Sequence, residues 1–115
     1  MTKYSGIELL RELCAINAPT GCEDRVAEFV KAETEGLCEY LPARIGTLIS
    51  RVKGSGEGYN AENPVKVMIS AHMDEVGFMI NRIDDDGYLH FSPVGGIDDR
   101  IKLCQRETIG ENNIP

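Results

Sequence analysis

The stretch Val65-Lys-Val-Met-Ile-Ser-Ala-His72 constrains this chain more than any other. It is nearly all apolar, which suits a strand covered on both faces inside a sheet that also carries helices. With 115 residues the chain has enough length for one small core, since a domain of that size buries only about two-thirds of its unfolded surface. Hydrophobic residues at 42% and charged residues at 27% exclude a collagen-like, low-complexity or wholly disordered chain.

Two amphipathic helices precede the apolar stretch. Between Ser5 and Ala15, residues Ile7, Leu9, Leu10, Leu13 and Cys14 recur at helical spacing, and Ser5 with Glu8 forms a capping box. Asn17-Ala-Pro-Thr-Gly21 breaks that helix. A second then sets Val26, Phe29, Val30 and Leu37 on one face, with Glu23 and Asp24 at its positive end, and stops near Gly36.

The period next shortens toward 2. Tyr40 to Ile45 and Thr47 to Val52 read as a hairpin turning at Gly46, with Pro42 confining the first strand to an edge. Gly54 to Asn63 is a surface connection. Val76 to Ile83 and Tyr88 to Phe91 flank Asp84-Asp-Asp-Gly87, whose Asp-Gly pair predicts a second hairpin. A calcium loop needs alternating acids, and Arg82 breaks that alternation. Short strands are expected at Ile101 to Cys104 and Arg106 to Ile109, and the tail Gly110 to Pro115 offers no closing element.

A net charge of −7 disfavours nucleic acid and anionic lipid as partners. No apolar run approaches the roughly 20 residues that span a bilayer, and Glu8, Arg11 and Glu12 interrupt the N-terminal region, so the expected address is cytoplasmic. Cys14, Cys22, Cys38 and Cys104 lack the close pairs of structural zinc sites and read as reduced, buried thiols.

His72 ends the expected covered strand, where open α/β sheets gather their ligands. Residues i and i+2 of an extended segment face one way, so His72 and Asp74 point together while Met73 and Glu75 point away. Such a pair offers one metal ligand and a carboxylate that orients the imidazole. On spacing alone, a histidine near a strand end is more often hydrogen-bonded structure than a metal ligand. His90 reads as a solvent-facing or cross-strand residue of the second hairpin, and the adjacent acids Asp74 and Glu75 are splayed too far apart for glycoside hydrolysis.

Longer strings carry more information. Val67-Met-Ile-Ser-Ala-His-Met-Asp-Glu-Val-Gly-Phe-Met-Ile80, Ile83-Asp-Asp-Asp-Gly-Tyr88 and Phe91-Ser-Pro-Val-Gly-Gly96 resemble the glutamyl and tetrahedral aminopeptidase family of cocatalytic metallopeptidases, some members of which are labelled endoglucanases. The similarity extends through Ala18-Pro-Thr-Gly-Cys-Glu-Asp24, Gly46-Thr-Leu-Ile49 and Gln105-Arg106. It implies an α/β fold: residues 1–75 as the N-terminal part of a catalytic domain, with two helices and a mixed sheet, and 76–115 as the beginning of a β-rich dimerisation domain. It also implies two divalent metals, zinc or cobalt, a peptide substrate, and homo-oligomers from dimers to dodecamers.

On the matching motif His72 would be a metal ligand and Asp74 the catalytic-site carboxylate that orients it. The family's bridging aspartate, glutamate base and remaining ligands lie downstream of this motif, so the chain reads as an N-terminal fragment inactive alone. Two positions depart from the pattern: Thr47 stands where asparagine is common, and Cys104 where glycine is common. The rival reading is a noncatalytic β-rich oligomerisation or binding module.

Overall fold

The first helix, α1 (Gly6–Cys14), begins where the capping box places it. The Glu8 amide donates to the Ser5 hydroxyl oxygen, and the Ser5 amide donates to the Glu8 carboxylate at 2.8 Å. That exchange satisfies two amide donors that a helix start otherwise leaves unpaired. The coordinates are a computed structural model that describes residues 4–110 and 112–114, so the outermost positions expected in the two domains, 1–3 and 115, lie outside them.

Helix α2 (Asp24–Glu33) is shorter than its apolar spacing suggests. Thr34 closes it, its hydroxyl donating back to the Val30 carbonyl at 2.6 Å, and Gly36 turns the chain at a φ of 73°. Leu37 therefore lies beyond the helix and is exposed. Tyr4 and Phe29 bring their rings to 6.3 Å, linking the start of α1 to α2.

Two antiparallel hairpins follow. Strands β1 (Glu39–Leu41) and β2 (Ile49–Arg51) pair with Tyr40 opposite Ser50, and the Arg51 guanidinium reaches the Glu39 carboxylate across them at 2.7 Å. The ladder is shorter than expected because Pro42, lacking an amide proton, stands immediately after β1. Ile45 and Gly46 both take positive φ at the tip, 56° and 66°. Strands β3 (Gly77–Ile83) and β4 (Leu89–Val94) pair from Gly77 opposite Val94 to Ile83 opposite Leu89, with an irregularity between Ile80 and Arg82.

Three expectations give way. The described residues form two separate two-stranded antiparallel sheets instead of one mixed sheet; a single parallel bridge joins Pro19 to Glu75. The segment 65–72 is extended but belongs to neither sheet, and Val65 and Ile69 are 91% and 93% exposed. A covered strand exists only by virtue of neighbours on its edges and faces, and no described residue supplies them. The expected strand at Ile101 to Cys104 is instead led by a 3-10 turn at Asp99–Ile101, because the Asp98 carboxylate accepts from the Arg100 amide at 3.0 Å. Ile109 makes a single bridge to Ile114.

The thiols are also not buried: Cys14, Cys22 and Cys104 are exposed and Cys38 is half-buried. Among the described residues the buried apolar side chains are Ala18 and Val26. A folded monomer of this mass exposes about 6,200 Å², whereas this chain exposes 10310 Å². Its radius of gyration is 19.2 Å, against about 13 Å for a folded domain of this length.

Candidate functional site

In the segment after residue 70, which belongs to no strand, His72 and Asp74 come into contact. His72 Nδ1 lies 2.8 Å from the Asp74 main-chain carbonyl oxygen and 3.2 Å from Asp74 Oδ1. Both partners only accept, so Nδ1 carries a proton, and in the neutral ring the lone pair is then on Nε2. The His72 side chain is 85% exposed and that of Asp74 35%, so Nε2 has access to solvent while the acid is partly sheltered.

Asp74 is held in turn by the loop after α1. Thr20 donates its hydroxyl to Asp74 Oδ2 at 2.7 Å, and that bond, followed by Asp74's own main-chain amide and then the nearby imidazole, holds the Asp74 carboxyl below the usual carboxylate range. The neighbouring acid goes elsewhere: Glu75 accepts from the Ala18 amide at 2.9 Å through Oε1, while its own amide donates to the Ala18 carbonyl at 2.9 Å. Asp74 and Glu75 are thus committed to different partners.

Beside the motif lies a cleft of about 530 Å³ whose walls include Leu13, Val26, Ile45, Leu48, His72 and Asp74. Its lining is mostly apolar, and Glu23, His72 and Asp74 are the ionisable side chains in it. A larger depression of about 950 Å³ between 36–41, 50–54 and 58–67 is lined by neither histidine and not by Asp74.

His90 is tied within its hairpin. Its Nε2 lies 2.9 Å from Asp84 Oδ2 and 3.0 Å from a terminal guanidinium nitrogen of Arg82. Asp84 Oδ1 accepts from the Asp86 and Tyr88 amides, so the first acid of the triplet closes the turn. The Asp84 carboxyl is held low, first by His90 and then by the Tyr88 amide.

Sequence reading brought His72 and Asp74 together, but it missed Thr20, 54 residues away, and the bracketing part of Glu75. The one available signal was the string Ala18 to Asp24, which carried the resemblance but assigned Thr20 no part. Among the described residues no group of three His, Cys, Asp or Glu side chains is placed to hold a metal ion. No helix among them is long and apolar enough to cross a membrane.

Comparison with known proteins matches residues 46–114 to the family model of the M42 glutamyl aminopeptidases. A putative aminopeptidase of Acetivibrio thermocellus is 35% identical over 98 residues, 84% of this chain and 27% of that protein. The lysyl aminopeptidase of Pyrococcus furiosus is 35% identical over 86 residues, 75% of this chain and 22% of that protein. The glutamyl aminopeptidase of Lactococcus lactis is 36% identical over 101 residues, 87% of this chain and 27% of that protein. The chain spans about a quarter of the length of these curated relatives. No solved structure matches it.

Proposed function

This chain belongs to the M42 glutamyl aminopeptidase family, and from that premise we propose that it carries one corner of a dinuclear metal-dependent site that hydrolyses N-terminal residues from peptides. His72 would hold one divalent ion, zinc or cobalt, through Nε2, with Asp74 fixing the ring. The observation that carries this reading is the pair of acceptors on Nδ1, at 2.8 and 3.2 Å, which in the neutral ring turns Nε2 into the nitrogen available to a metal.

The residues present fit one ligand of such an ion. A catalytic zinc takes three protein ligands and an open position, and the described residues do not converge on that number. When bound, the ion supplies Lewis acidity toward the scissile carbonyl and lowers the pKa of water. This chain's own part is narrower: it orients one imidazole, keeps its proton on Nδ1, and walls a cleft with apolar side chains.

The remaining ligands belong, on this reading, to polypeptide of the kind that makes the relatives several times longer. Residues 1–75 form the N-terminal part of the catalytic domain and 76–115 the beginning of a β-rich dimerisation domain, in a cytoplasmic enzyme that assembles into homo-oligomers. Alone, the chain should release negligible amounts of N-terminal residues. Calorimetric titration with zinc or cobalt tests the proposal: the parent should show a weak site that His72→Ala abolishes.

Equal binding by both proteins would favour the other reading, a noncatalytic oligomerisation or binding module. The observation on that side is the exposure of Met79, Ile83 and Phe91 on the β3–β4 hairpin, a surface suited to covering by another chain.

A further inference from the structure

Nothing local to an exposed ribbon keeps two side chains in a fixed relation, because each is free to leave its rotamer for another staggered well. Asp74 is restrained from outside its own segment. With Thr20 on Oδ2, its carboxylate is left with Oδ1 turned toward His72 Nδ1.

Thr20 can act this way only if its own loop is held, and four observations show that it is. Ala18, two residues earlier, is 1% exposed and exchanges two hydrogen bonds of 2.9 Å with Glu75. Pro19 packs on Gly77 so closely that a Cβ there would meet the proline Cβ at 3.2 Å. The Cys22 amide donates to the Pro19 carbonyl at 2.9 Å, closing a turn around Thr20. Gly21, at a φ of 92°, donates its amide to Glu23 at 2.7 Å, tying the far side of the loop to the start of α2.

We infer that Thr20 is a positioning residue: its hydroxyl, presented by the braced loop 18–23, locks the Asp74 carboxylate in the rotamer that supports His72 as a metal ligand. The inference deepens the metal-site reading above and rests on it for its last step only. Threonine suits the task because its β-branch leaves χ1 few choices, so the hydroxyl direction is set by the backbone. Serine retains the donor; valine keeps the shape and removes it.

The test compares the parent chain with Thr20→Ser, Thr20→Val and Thr20→Ala. Three-bond proton couplings of Asp74, measured without metal, report its χ1 populations, and a cobalt titration reports affinity. One dominant rotamer is expected in the parent and Thr20→Ser. In Thr20→Val and Thr20→Ala its population should fall by about twofold, with cobalt affinity lower by about tenfold, the low end for loss of an outer partner. Unchanged Asp74 rotamers in folded Thr20→Val or Thr20→Ala overturn the inference, as does rotamer averaging in the parent, which needs no variant to be folded. A shift in rotamers with no His72-dependent cobalt site in any protein upholds the positioning role and overturns the metal reading instead.

Discussion

Glu75 and Ala18, 57 residues apart, exchange two hydrogen bonds, one through each main-chain group of Ala18. The acid beside Asp74 is thereby spent on holding the loop. Glu75→Ala should deprive the Ala18 amide of its acceptor, a loss of about 1–3 kcal/mol for a group that is sheltered from water. Glu75→Gln retains an oxygen at the same place and should cost far less. Hydrogen exchange at the Ala18 amide reads this directly: faster in Glu75→Ala, near the parent rate in Glu75→Gln.

Ile45 and Cys104 occupy the left-handed region, with φ of 56° and 61°. For L-residues other than glycine that conformation costs roughly 1–2 kcal/mol. Ile45→Gly should protect the Thr47 amide, which donates to the Arg44 carbonyl at the hairpin tip. Cys104→Gly should relieve its own strain by a similar amount, read as slower proteolysis around residue 104.

Acid should loosen the second hairpin only at low pH. Asp84 is held low by His90 and the Tyr88 amide, so its folded-state pKa lies below the unfolded value. Its contribution is present in full above the ordinary aspartate range and is lost as pH falls through the depressed folded value. The chemical shift of the Tyr88 amide, which donates to Asp84, should therefore move toward its unfolded position only below that ordinary range, and Asp84→Asn should remove this step.

The apolar ribbon 65–70 should drive association. Val65, Val67, Met68 and Ile69 are exposed on a segment with no ladder partner, a template for pairing with another chain. Sedimentation velocity should show concentration-dependent assembly, reduced when Val67→Lys and Ile69→Lys are combined.

What was legible in the sequence was local. Ser5 and Glu8 announce the start of α1 because a cap needs only three residues, and Asp84 with Gly87 announces the turn for the same reason. The pairing of His72 with Asp74 is local too, the two standing two residues apart in the chain. The segment 65–72 reads as a covered strand because its composition is right, yet a strand is completed by its neighbours, and composition does not provide them. Thr20 was invisible for a related reason: a hydrogen bond across 54 residues leaves no periodic trace.

Nitrogen-15 NMR of the His72 ring during zinc addition tests the central claim most directly. The metal-free ring should carry its proton on Nδ1, and zinc should shift the Nε2 resonance while that proton stays in place. A proton resident on Nε2, or zinc that leaves both ring nitrogens unmoved, would contradict the account.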